Sequence, residues 1–136
     1  MVGETEKIVI DGKNAVLGRL ASFVAKAALQ NKSIVVCNCN EIIIKGKPKS
    51  ILASYKRRMV IGKGSLKGPY FPRQPAAVVR RTVRGMLPYK KVKGKEAFKR
   101  VFCYDGMPAN YANKEKINFK QKAAEFITLA RLCELL

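Results

Sequence analysis

The sequence predicts an α/β fold around a largely parallel sheet, and three features of its first half carry that expectation. Ile8-Val9-Ile10-Asp11 is a short β-branched run closed by the turn signal Asp11-Gly12. Leu17, Leu20, Ala21, Val24 and Ala28 then recur at helical spacing on one face, with Arg19, Ser22 and Lys26 on the opposite one. Ser33 to Val36 and Ile42 to Ile44 return to continuous apolar runs, the pattern of strands covered on both faces. Strand, helix, strand in close succession argues a layered α/β unit, because parallel strands need a crossover between them.

The elements follow in order. Asn14 is the expected N-cap of the first helix and Gln30-Asn31 its stop, and Asn38 to Glu41 is a polar turn between the second and third strands. Lys49 to Met59 reads as a helix with Ile51, Leu52 and Tyr55 on its apolar side. Lys56, Arg57 and Arg58 gather at its end, where the helix dipole favours cations. From Ile61 to Pro75, Gly62, Gly64, Gly68, Pro69, Pro72 and Pro75 exclude regular structure and predict a long loop, a feature usually tied to function. Pro75 opens a further helix and Pro88 follows its end. On that helix Ala76, Val79, Val83, Met86 and Leu87 share one stripe, and Arg80, Arg81 and Arg84 share the adjoining one. Tyr89 to Gly94 reads as a lysine-rich connector, Lys95 to Arg100 as a short helix and Val101 to Tyr104 as a fourth strand, ended by Asp105-Gly106-Met107-Pro108. In the tail, Ala123, Ala124, Ile127, Ala130, Leu132 and Leu135 are spaced for one terminal helix. No repeat or sharp boundary divides the 136 residues, so residues 1–136 are read as one domain, long enough to bury about two thirds of its unfolded surface.

Several kinds of chemistry are excluded or disfavoured. The chain has no histidine, which removes Ser-His and Cys-His nucleophile arrangements. Asp11 and Asp105 read as turn residues after strands rather than a metal-binding pair. Cys37, Cys39, Cys103 and Cys133 have no disulfide-framework spacing, and Cys37-Asn38-Cys39 lacks nearby partners for zinc, so core thiols in a reducing compartment are expected. Gly62-Lys63-Gly64-Ser65-Leu66-Lys67-Gly68 matches neither a phosphate loop, which needs Lys followed by Ser or Thr, nor a dinucleotide fingerprint, which follows a strand and has one residue fewer before its last glycine. The most apolar stretch, Ala15 to Leu29, is too short to span a bilayer and is interrupted by Arg19 and Lys26; the start of the chain carries no secretory pattern. The expectation is a soluble intracellular protein with no catalytic residues, metal, cofactor, membrane contact or small-molecule substrate.

Charge points to the partner. Of the 28 Lys and Arg, 15 lie between Lys56 and Arg100: Lys56, Arg57, Arg58, Lys63, Lys67, Arg73, Arg80, Arg81, Arg84, Lys90, Lys91, Lys93, Lys95, Lys99 and Arg100. Only Glu96 opposes them there. A solvated face mixes both signs, so this set of candidate contacts calls for a polyanion. Arginine on one helical stripe and aromatic-proline interleaving at Pro69-Tyr70-Phe71-Pro72-Arg73 favour nucleic acid. RNA is favoured over DNA, because no helix-turn-helix, zinc-finger or zipper pattern appears. Its glycine loop would let backbone approach RNA phosphates. The competing readings are a general DNA- or RNA-compacting basic protein and a nucleotide-using enzyme on an α/β fold.

Four blocks in order resemble the universal large-subunit ribosomal protein family thirteen, in its archaeal and eukaryotic branch. They are Ile8 to Asp11 with Leu17-Gly18-Arg19-Leu20-Ala21; Asn38 through Ile44 to Gly46; Arg81-Thr82-Val83-Arg84-Gly85-Met86-Leu87-Pro88; and Gly94-Lys95-Glu96-Ala97-Phe98 leading to Asp105-Gly106-Met107-Pro108. Lys67-Gly68-Pro69-Tyr70 and Phe71-Pro72-Arg73 carry the branch assignment. The resemblance implies a three-layer α/β/α domain with a small, mainly parallel four-stranded sheet, basic loops and a C-terminal helix. It implies a non-catalytic structural role: binding large-subunit ribosomal RNA beside neighbouring large-subunit ribosomal proteins, in the cytoplasm and, for a eukaryotic source, the nucleolus during assembly. RNA contact passes by resemblance to Arg80, Arg81, Arg84 and the lysines that follow. For Phe126 to Leu136 it implies a short extended piece and then a helix capped by Thr128, in place of the longer helix that periodicity suggests.

Overall fold

The computed structural model describes residues 7–60, 73–112, 117–118 and 125–135. Strands β1 (Lys7–Asp11) and β2 (Ser33–Cys37) flank helix α1 (Leu17–Leu29). After a 3-10 turn at Cys39–Glu41 come β3 (Ile43–Lys45) and α2 (Pro48–Val60). Helices α3 (Pro75–Met86) and α4 (Val92–Lys99) precede β4 (Val101–Cys103), α5 (Ala109–Ala112), β5 (Ile117–Asn118), β6 (Phe126–Thr128) and α6 (Leu129–Leu135).

The main sheet has the order β4-β2-β1-β5 and every pairing in it is parallel. The fold is thus the expected mixed α/β arrangement on a small parallel sheet, with one change of membership. The third apolar run, β3, leaves the sheet and pairs antiparallel with β6, while the two-residue β5 takes the place beside β1. Backbone geometry explains this: Ile43 N–H bonds to the Ala15 carbonyl and Leu129 N–H to that of Ile42, which ties β3 to the entrance of α1 and to α6.

Strand alternation divides the core between the two faces. Ile10, Ile34 and Val36 point to one side and pack with Leu20, Ala21 and Val24 of α1, Val79 and Val83 of α3, Ala97 of α4, and Leu129 and Leu132 of α6. Val9, Val35 and Cys37 point to the other, under Met107 and Tyr111. Continuous apolar strands are therefore required, since both faces are covered. The contrast is α2, where Ile51, Leu52 and Tyr55 pack only partly against the core and no residue is buried.

Helix ends follow local chemistry. Asn14 is not the N-cap of α1: it lies in the left-handed region (φ 58°), its N–H bonds to the Glu41 carbonyl, and Val16 occupies the cap position because its bridge to Ile43 holds it extended. The predicted stop is correct. Asn31 turns left-handed (φ 64°), and Lys32 and Asn31 donate to the Ala27 and Ala28 carbonyls, closing a Schellman motif. At the tail, Thr128 Oγ1 accepts the Arg131 N–H at 3.3 Å, so the strand-then-helix arrangement holds and the single longer helix does not. Ala123 and Ala124 lie outside the described residues.

The connector after α3 is shorter and tighter than the sequence suggests. α4 begins at Val92, and Gly94 is buried so close to the preceding turn that a Cβ there would overlap the Pro88 carbonyl. Gly94→Ala is expected to destabilise the domain by about 1–3 kcal/mol, the cost of overpacking against unyielding backbone exceeding the roughly 1 kcal/mol gained in helix propensity. At Gly85, where a Cβ meets nothing within 4 Å, the same change should be neutral or stabilising by up to about 1 kcal/mol. Val83 is fully buried, and Val83→Asp should cost about 3–5 kcal/mol for an uncompensated buried charge. Urea unfolding of the three variants checks all these values.

Candidate nucleic-acid interface

The candidate interface is built on α3. Pro75 opens the helix with the φ it already prefers, but Gln74 makes no side-chain cap. An acceptor comes instead from across the fold: Asp105 Oδ1, in the turn after β4, takes the Ala76 N–H at 2.9 Å. A carboxylate at a helix N-terminus is also attracted by the positive end of the dipole, so this contact anchors the start of α3 against the sheet. Val78, Val79 and Val83 are buried, and α3 packs along α1. On the adjoining stripe, Arg81 and Arg84 are exposed and Arg80 is half-buried.

The helix ends at Met86 and turns sharply, with Leu87 donating to the Arg84 carbonyl and Lys91 to that of Pro88. This turn places Tyr89 beside α3 and Phe98 of α4 beside Tyr89, their ring centroids 6.3 Å apart and their planes at 84°. The Arg84 guanidinium lies 4.3 Å from the Tyr89 centroid and that of Arg80 lies 4.5 Å from the Phe98 centroid. Arg80 Nε is buried without a hydrogen-bond partner, so the ring face, rather than a bond at Nε, seats this group. Among the described residues, no carboxylate forms an ion pair with Arg80 or Arg84. Arg84, Gly85, Leu87, Pro88, Tyr89, Lys90 and Lys91 line a shallow cavity of about 420 Å³ at this corner.

The remaining candidate residues distribute as follows. Lys90 and Lys91 follow Tyr89 and are exposed, and Lys93, Lys95 and Lys99 are exposed on α4. Arg73 is exposed just before α3. Arg100 has a structural occupation: its Nη1 donates to the Ala28 carbonyl at 2.9 Å, adding to the C-terminal cap of α1. Lys56, Arg57 and Arg58 are exposed at the end of α2, a helix that packs against β6, and Arg58 lies 5.0 Å from the Tyr55 ring centroid. Burial pushes the Tyr55 phenol above its ordinary value, with nearby Arg58 opposing the shift. Lys63 and Lys67, with the glycine loop around them, lie outside the described residues.

The contacts of Tyr89 and Phe98 with the candidate arginines were missed by reasoning from sequence. Tyr89, in the turn, and Phe98, on α4, meet Arg84 and Arg80 because the chain turns back sharply after α3. The Tyr55-Arg58 spacing, three residues on one helix, was a readable signal.

The groups with other chemical potential have structural roles. Asp11 Oδ1 accepts the Lys13 N–H and the Asn38 side-chain amide, closing the turn after β1. The Cys39 thiol is held well above the usual thiol range by its hydrogen bond with Cys103 and by burial, and burial also raises Cys133. Thiols held protonated are poor nucleophiles and poor metal ligands. Among the described residues, no three His, Cys, Asp or Glu side chains form a metal-binding group. No helix of the described residues is long and apolar enough to cross a membrane.

Comparison with known proteins converges on one family. The family model described as Ribosomal protein L13 matches residues 5–110, the span that holds all four sequence blocks. A protein named large ribosomal subunit protein uL13 from Methanocaldococcus jannaschii is 46% identical over 127 residues, covering 91% of this chain and 93% of its own length. Its namesake from Methanopyrus kandleri is 48% identical over 107 residues, covering 79% and 67%. That from Archaeoglobus fulgidus is 36% identical over 135 residues, covering 94% and 86%. The family match over residues 5–110 takes in α1, the sharp turn after α3 and the Asp105 anchor together, and the chain belongs to the ribosomal protein L13 family.

Proposed function

We propose that this chain is a structural constituent of the large ribosomal subunit, binding and stabilising large-subunit ribosomal RNA during assembly and in the mature ribosome, beside neighbouring ribosomal proteins. The observation that carries the reading is α3, a helix whose one stripe is buried in the core while the adjoining stripe presents Arg80, Arg81 and Arg84. The role is non-catalytic and needs no cofactor. Ribosomal placement makes the protein cytoplasmic.

The RNA-contacting set is centred on the corner of α3 and α4: Arg80, Arg81, Arg84, Lys90, Lys91, Lys93, Lys95 and Lys99. Arg73 extends it at the start of α3, and Lys56, Arg57 and Arg58 add a second group from α2. Lys63 and Lys67 join on sequence grounds alone. Arginine supplies forked hydrogen bonds to phosphate, and lysine supplies compact, mobile charge. Such contacts fix position on the RNA and carry little sequence information, which suits a protein that holds an already folded RNA by its shape. Arg100 contributes field more than contact, since one of its nitrogens is bonded to the end of α1.

Neutralising six to ten phosphates should make affinity for large-subunit rRNA fall by roughly 10³- to 10⁵-fold between 50 and 200 mM salt. Filter binding across a salt series reads this directly, and a flat response would remove the electrostatic account. The same assay with duplex DNA separates the compacting-protein reading, which requires equal affinity for both polymers. Arg84→Glu should weaken rRNA binding at least about tenfold, as expected for loss of a charge-assisted hydrogen bond. Its effect on the stability of the free protein should stay within about 1 kcal/mol, the scale of one exposed cation-π contact. Equal losses in melting and binding would make Arg84 structural.

A further inference from the structure

We infer that Tyr89 and Phe98 are positioning residues for the RNA interface: they hold the guanidinium groups of Arg84 and Arg80 in fixed places while leaving their charge for phosphate. The inference rests on the RNA-binding reading of the α3-α4 corner and adds residues of another chemical type to it. Four side chains form a continuous series, Arg84 on Tyr89, Tyr89 edge-to-face with Phe98, and Phe98 under Arg80. Arg80 and Arg84 are one helical turn apart, a spacing at which like charges repel. A carboxylate could relieve that repulsion, but it would also cancel the charge that the interface needs. The negative face of an aromatic ring attracts a cation without neutralising it, and here each arginine has its own ring.

The geometry also argues against the common alternative for aromatics in an RNA-binding protein, a platform for unstacked bases. Tyr89 is 38% exposed, but Arg84 lies over its ring and Phe98 packs against it; the Phe98 ring is half-buried with Arg80 over it. Each ring carries a guanidinium rather than an open face for a base, which favours reading of the phosphate backbone at this corner. Prearrangement has a definite consequence. A free arginine must lose rotamer freedom when it meets RNA, which corresponds to roughly a two- to tenfold factor in affinity for one long side chain. A guanidinium already seated on a ring avoids most of that loss.

The test is a double-mutant cycle on the full chain, with in vitro transcribed large-subunit rRNA as the probe and Kd read at several salt concentrations. Tyr89→Leu should weaken binding about two- to tenfold with an unchanged salt slope, because every cation remains. Tyr89→Phe keeps the ring face and should bind as the parent does. Adding Tyr89→Leu to Arg84→Gln should bring little further loss, because the ring then has no guanidinium to position. Phe98→Leu repeats the measurement at Arg80, and since Phe98 also packs on the core, Tyr89 carries the decision if that variant melts early. Unchanged affinity in Tyr89→Leu, or losses that simply add in the double variant, would overturn the positioning role. Unchanged affinity in Arg84→Gln would instead overturn the RNA-binding reading beneath it, so the two failures are distinct.

Discussion

The packing of α3 against α1 is the contact on which the rest of this structure depends. Val79 and Val83 are fully buried there, in the same core that includes Leu20 and Val24 of α1 and Ile34 and Val36 of the sheet. The burial holds one side of α3 to a domain carrying a formal net charge of +19, and thereby fixes the direction in which Arg80, Arg81 and Arg84 project. Fully burying a valine contributes on the order of 1.5–3 kcal/mol, whereas an exposed like-charge pair one helical turn apart costs only a few tenths. Hydrophobic packing can therefore dominate the local repulsion, and among the described residues Arg80 and Arg84 are kept without an ion pair.

Around that contact the fold supplies anchors that are polar but local in effect. Asp105 reaches from the turn after β4 to the first turn of α3, and Arg100 reaches from the end of α4 to the Ala28 carbonyl in the last turn of α1. Arg100 precedes and Asp105 follows β4, the strand that pairs parallel with β2. The close approach of Gly94 to Pro88 then folds α4 back tightly enough for its ring to lie beneath Arg80. The arginine surface is thus a consequence of how α3, the sharp turn and α4 pack, rather than of charge density alone.

Most of this was legible in the sequence where a residue pattern repeats over several positions. The spacing of α1 and the apolar runs of β1 and β2 announced themselves because burial on one face imposes a period, whereas the stripe read on α3 held at Val79, Val83 and Leu87 but took in Met86, which is exposed, and left out Val78, which is buried. The family blocks added what periodicity misreads at the tail, where β6 and Thr128 interrupt an apolar spacing that suits a single helix. Features made by distant contacts were not legible. Ile117 and Asn118 are too few to show a pattern, Asn14 has the side chain of a cap but is displaced by the Val16-Ile43 bridge, and β3 looks like a sheet strand until its pairing with β6 is seen. The same limit applies to the candidate interface: the basic residues were readable from composition, but the rings seating two of them, and the occupation of Arg100, depend on tertiary proximity.

The central claim is that the arginine stripe of α3 faces ribosomal RNA phosphate while its valine stripe faces the protein core. The most direct measurement is a cryo-electron microscopy map of the large subunit containing this chain, at a resolution that shows arginine side chains. The account predicts Arg80, Arg81 and Arg84 within hydrogen-bonding distance of phosphate oxygens, with Tyr89 and Phe98 still beneath their guanidinium groups and no base stacked on either ring. A map in which that stripe faces solvent or another protein, with the RNA held by a different surface, would contradict it.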